Sequence, residues 1–130
     1  MKDLGILILR VFISVFMIYG HGFPKLQKLL SGSEIKFSDP LGIGSGFSFG
    51  LTVFAELFCS VLLLFGLFPR LSTIALIITM FVAAFIHHAA DPFLAKEKAL
   101  MYLVVYVSLI IFGPGKYSLN KFLPSKFQKY

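Results

Sequence analysis

Apolar residues run through this chain in blocks close to 20 long, separated by short polar stretches, and without the strict alternation of a half-buried strand. A hydrocarbon layer about 30 Å thick is crossed by roughly 20 residues of helix, so each block has the length of a membrane span. The pattern predicts spans at about 4–23, 47–68, 71–90 and 94–112. Pro69-Arg70 separates the second from the third. The densest part of the fourth, Ala99 to Phe112, is too short alone, and its start is placed near Pro92 to Ala95, where proline suits a first helical turn. No small-x-small cleavage site follows the first block, which is therefore expected to stay as a helix. The expected fold is all-α, a transmembrane four-helix bundle formed by a single integral membrane domain over 1–130, with a basic C-terminal tail at 113–130.

The first connection, Pro24 to Gly46, is long for a helical hairpin. Leu26, Leu29 and Leu30 fall at i, i+3 and i+4 and predict a short amphipathic helix lying flat in the outer interface, within a long first extracytoplasmic loop. Gly42, Gly44 and Gly46 are not followed by the Gly-Lys-Ser/Thr of a phosphate loop. Gly46 and Gly50 form a Gly-x-x-x-Gly and are expected to help pack the second helix.

Composition agrees with lipid as the solvent. The AVILMFWYC set makes up 58% and charged residues only 14%, far from the balance of a soluble domain. One cysteine, Cys59, excludes an intramolecular disulfide framework and a Cys-x-x-Cys redox pair. The net charge of +6 is read as membrane-surface charge and not as a nucleic-acid footprint. Four spans put Lys2, Arg70, Lys116, Lys121, Lys126 and Lys129 on one side with only Asp3 as an acid. The other side carries Lys25, Lys28, Lys36, Lys96 and Lys98 with Glu34, Asp39, Asp91 and Glu97. Short basic loops face the cytoplasm, so both termini are expected there, in a multi-pass protein of the cell inner (plasma) membrane. In the tail, lysines alternate with Tyr117, Phe122, Phe127 and Tyr130, a pattern that suits anionic lipid headgroups.

An ionisable side chain at membrane depth costs on the order of 2.5–3.5 kcal/mol on insertion scales and needs a partner or a task. Arg10 and Glu56 are such groups, roughly 9 Å and 18 Å from the cytoplasmic ends of their helices. They are expected to pair, with Arg10 keeping Glu56 ionised; a structural ion pair or a snorkelling arginine is the plainer alternative. His21, His87 and His88 fall in one layer near the outer ends of the first and third helices, with Glu56 about a turn below. Lys98 and Tyr102 begin the fourth helix at that height. An outward-opening polar pocket follows if these side chains turn inward. Adjacent His87 and His88 diverge by about 100° on a helix, and no His-x-x-x-His or Glu-x-x-His spacing exists, so no metal site is expected. Cys59 reads as a small packing residue, and no serine stands in a nucleophile elbow. The expected ligand-binding set is Arg10, His21, Glu56, His87, Lys98 and Tyr102, with no catalytic residue named.

These residues also carry a resemblance. Arg10 in the first helix, the exit His21-Gly22-Phe23-Pro24-Lys25, then Ala55-Glu56-Leu57, the run Leu64-Phe65-Gly66-Leu67-Phe68-Pro69-Arg70-Leu71, a late histidine in the third helix and Gly113-Pro114-Gly115-Lys116-Tyr117-Ser118-Leu119-Asn120 occur in the order of the DoxX family, small four-helix membrane proteins. The chain resembles that family over nearly its whole length. Asn120 stands where the family pattern has an aspartate. The resemblance implies a role linked to respiratory or sulfur redox chemistry. The wider superfamily is also similar to cargo receptors and receptor-assembly chaperones, which bind proteins and catalyse nothing.

Two functions are therefore expected as alternatives. One is a subunit of a membrane redox system that binds a quinone-like molecule in the outer half of the bundle. No flavin, haem or iron–sulfur motif is present, so electrons would come from a redox partner protein. The other is a non-catalytic scaffold or chaperone-like binder. In both, the lipid bilayer is the first partner and a homo-oligomer is compatible. No covalently bound cofactor is expected, and quinone is the candidate ligand.

Overall fold

The computed structural model describes residues 1–37 and 39–130, and every long element in it is a helix. Helix α1 spans Lys2–Leu30, α2 Ser45–Phe65 and α3 Pro69–His87; α4 spans Phe93–Phe112. The first three are long and apolar enough to cross a membrane. α4 packs chiefly along α3 and also touches α1, while α1 and α2 lie against each other.

Aromatic pairs at i, i+4 stand on the outer surface of the first three helices. Phe12 and Phe16 have ring centroids 6.0 Å apart, Phe54 and Phe58 5.2 Å, and Phe81 and Phe85 4.9 Å, and all six rings are exposed. A surface of this kind is stable against hydrocarbon and not against water. Inside, Met17, Cys59, Leu63, Leu76, Met80, Tyr106 and Leu109 form the buried core that joins the four helices.

Three of the helices contain a wider turn. π-helical turns occupy Ile18–Gly22 in α1, Phe54–Cys59 in α2 and Ala83–His87 in α3. The Phe23 N–H donates to the Ile18 carbonyl and the His88 N–H to the Ala83 carbonyl, each five residues back. The first of these turns explains why α1 does not stop at Phe23. Proline within a helix lacks a donor and crowds the carbonyl four residues before it, and the wider turn just ahead of Pro24 relieves that conflict. The stretch Phe23–Leu30 accordingly continues α1, where the sequence predicted a separate helix lying flat in the interface.

The other end of the bundle is closed by the C-terminal segment. Gly113, at φ 79°, ends α4. Arg10 then donates from Nη1 to the Pro114 carbonyl and from Nη2 to the Tyr117 carbonyl, both at 2.5 Å. The Ser118 hydroxyl donates to the Gly66 carbonyl at 2.7 Å, and Asp3 accepts the Lys116 N–H at 3.1 Å. Asn120 Nδ2 donates to the Gln128 carbonyl, and the Leu71 N–H to the Tyr130 carbonyl. Gly66, at φ 70°, ends α2 beneath this cap, and a Cβ there would come within 2.5 Å of Ser118 Oγ. Residues 113–130 thus fold back on the bundle as an ordered plug.

Candidate functional site

The end opposite that plug contains a cavity of about 600 Å³. α1 contributes His21 and Lys25, α2 Glu56, α3 His87 with His88 just past its end, and α4 Lys98 and Tyr102. Apolar walls come from Leu51, Ile78, Val82 and Ala99, and the loop before α2 covers one side with Phe37, Pro40, Leu41 and Ile43. The polar groups lie around the π turns: His21, Glu56 and His87 each occupy one. Such a turn inserts a residue and re-aims the side chains that follow, which is why π turns recur at binding sites.

Gly22 sets how closely α1 and α2 approach. A Cβ at that position would lie 2.7 Å from the Glu56 carbonyl oxygen and 2.9 Å from the Leu57 Cα, so only glycine fits without separating the helices. That contact brings Lys25 to Glu56, with Lys25 Nζ 2.6 Å from Glu56 Oε2. Glu56 is 3% exposed, and a buried carboxylate needs such a partner.

The neighbouring ring groups are ordered by edge and face contacts. His21 meets Tyr102 edge-on, with centroids 5.5 Å apart and planes at 87°. Tyr102 stacks over Tyr106 at 6.1 Å, and Phe37 from the covering loop lies nearly parallel to His87 at 6.4 Å. His88 Nδ1 lies 2.8 Å from Asp91 Oδ2 at the rim. The covering loop is itself anchored by Asp39, whose carboxylate accepts the Ile43 and Gly44 N–H groups at 3.0 and 2.6 Å and the Ser48 hydroxyl at 2.8 Å.

Five of the six side chains singled out in the sequence, His21, Glu56, His87, Lys98 and Tyr102, therefore border one cavity. Arg10 does not. It is buried at the plug end, its guanidinium bound to backbone carbonyls, and the expected Arg10–Glu56 pair is replaced by Lys25–Glu56. The physical reason is competition: the Pro114 and Tyr117 carbonyls take the Arg10 guanidinium, while Glu56 is met by the Lys25 ammonium. Lys25 was the residue that sequence reasoning missed. Its signal was the i, i+4 spacing from His21, which puts both on one face once α1 continues past Pro24. Gly46 and Gly50 have nothing within 4 Å of where a Cβ would stand, so the close helix contact is at Gly22 and not at the Gly-x-x-x-Gly.

Among the described residues no three His, Cys, Asp or Glu side chains are grouped closely enough to hold a metal ion. Cys59 lies in the apolar core. The cavity lining thus offers three imidazoles, the Tyr102 phenol, the Lys98 ammonium and a Lys25–Glu56 pair among apolar side chains. That set can orient a small amphiphilic molecule by its oxygens.

An all-α chain with three apolar spanning helices and outward-facing phenylalanines is a multi-pass membrane protein. Its residues 5–89, well over half of the chain, match the DoxX family, and the protein belongs to that family. No curated protein and no solved structure matches the chain.

Proposed function

We propose that this DoxX family protein holds a flat, largely apolar, quinone-like molecule in the cavity at the outer end of a transmembrane four-helix bundle. α4 is the fourth span in this reading, with Lys96, Glu97 and Lys98 in its first turns at the outer headgroup level. Both termini then face the cytoplasm, and the basic plug rests on the inner leaflet of the cell inner membrane.

The observation that carries the reading is the cavity itself. Its volume of about 600 Å³ falls within the range of small-molecule sites, and a few polar groups, among them His21, Glu56, Lys98 and Tyr102, share its lining with apolar side chains such as Leu51, Ile78 and Val82. His21 and Tyr102 can donate to ring oxygens. Two-electron reduction of a quinone takes up two protons, and imidazole and carboxyl groups suit their delivery. The chain carries no electron-transfer group of its own among its motifs, so a redox partner protein supplies the electrons.

The test is extraction. Protein purified in an uncharged mild detergent is expected to retain quinone in near-equimolar amount, and Tyr102→Leu and Glu56→Gln to lose most of it. Quinone absent from all three samples, with a partner protein retained by all three, would instead favour the scaffold reading.

A further inference from the structure

We propose that the cavity prefers ligands whose polar end is an ionised acidic group, held by the Lys98 ammonium beside His21 and Tyr102. The inference rests on the small-molecule reading above and specifies the charge of what that site takes.

The charges bordering the cavity are unequal. Lys25 and Glu56 neutralise each other at 2.6 Å. Lys98 also borders the cavity and has no hydrogen-bond or ion-pair partner among the described residues. Its charge and that of Lys25 both act on the His21 ring. Asp91 is engaged by His88 at 2.8 Å, Asp39 is occupied by the Ile43 and Gly44 amides and the Ser48 hydroxyl, and Glu97, next to Lys98 in the chain, does not line the cavity. The exposed Lys98 ammonium is therefore the cation of the cavity lining that no acidic side chain balances among the described residues.

A neutral oxygen would satisfy the donors of His21 and Tyr102 but leave that charge unmatched. An anionic oxygen satisfies both, and charge-assisted bonds of this kind are about twice as strong as neutral ones. Tyr102 follows Lys98 by four residues, so the phenol and the ammonium stand on one face of α4 and reach a single acidic head together. The ring contact with His21 holds the phenol at that place. The matching ligand has an enolate or carboxylate head and a flat or chain-like apolar body.

A pair of probes with the same ring isolates the charge. 2-Hydroxy-3-alkyl-1,4-naphthoquinone is an anion at neutral pH, and its 2-methoxy ether is neutral. Binding of each to the full-length protein in uncharged detergent at moderate salt is read by quenching of tyrosine fluorescence. The hydroxy compound is expected to bind about tenfold tighter than the ether, with the preference kept by Lys98→Arg and reduced to near parity by Lys98→Met. Equal binding of both probes to the wild type, or a preference that survives Lys98→Met, overturns the charge inference and leaves the quinone-like reading standing. Failure of both probes to bind overturns both. A melting profile of Lys98→Met that matches the wild type excludes misfolding as the cause.

Discussion

Lys25 reaches across from α1 to place its ammonium 2.6 Å from the Glu56 carboxylate of α2, at the level where both helices widen into π turns. The pair joins the two helices at the cavity lining and neutralises a carboxylate that is 3% exposed. Its removal has a specific signature.

Lys25→Met strands the carboxylate and is expected to cost about 1–3 kcal/mol, less than a fully enclosed pair because the Lys25 side chain is 29% exposed. Adding Glu56→Gln should recover part of that loss. Arg10→Met combined with Glu56→Gln should be additive, since the two groups do not touch. Thermal unfolding in detergent of the three single and two double variants measures both couplings.

Gly22→Ala is expected to lower stability by about 1–3 kcal/mol, because its methyl group would meet the Glu56 backbone at 2.7 Å and push α1 from α2. Gly50→Ala, in open space on α2, should be neutral or raise stability by up to about 1 kcal/mol through helix propensity. Equal destabilisation by the two would place the tight helix contact at the wrong glycine.

Arg10→Met removes both bonds from the guanidinium to the Pro114 and Tyr117 carbonyls. The C-terminal plug should then become open to limited proteolysis after Lys116 and Lys121, while ligand occupancy of the cavity at the opposite end is unchanged. Loss of ligand together with the plug would mean that Arg10 acts on the cavity after all.

Asp39 gives the covering loop a pH dependence. The Ser48 hydroxyl and the Gly44 and Ile43 amides hold its carboxyl below the usual carboxylate range. A depressed value in the folded state means that the anchoring is fully present above about pH 3.9, the ordinary aspartate value, and is lost as pH falls through the lower folded value. Amide exchange at Ile43 and Gly44, corrected for its intrinsic rate, should therefore accelerate below about pH 4 in the wild type. In Asp39→Ala it should be fast at every pH.

Much of the fold could be read from the sequence because lipid imposes one simple demand, long apolar helices with few charges. Leu71 to Ile86, free of any charge, has no other stable fate in a membrane. The layer of His21, Glu56, His87, Lys98 and Tyr102 was also legible, since helical rise alone sets their height. Three features were not. Pro24 reads as a break unless the π turn ahead of it is known, and a single inserted residue leaves no mark on hydrophobic periodicity. Lys25 was hidden by the same error. The partner of Arg10 is a set of backbone carbonyls more than 100 positions away, and carbonyls carry no residue identity to be recognised.

Photolabelling with an azido-quinone in membranes, followed by peptide mapping, asks most directly whether a flat apolar molecule occupies the cavity opposite the plug. Label concentrated at Leu51, Val82 and Tyr102, and displaced by unlabelled quinone, is the expected result. Label spread over the outward phenylalanines such as Phe12, Phe58 and Phe81, and indifferent to competitor, would contradict it.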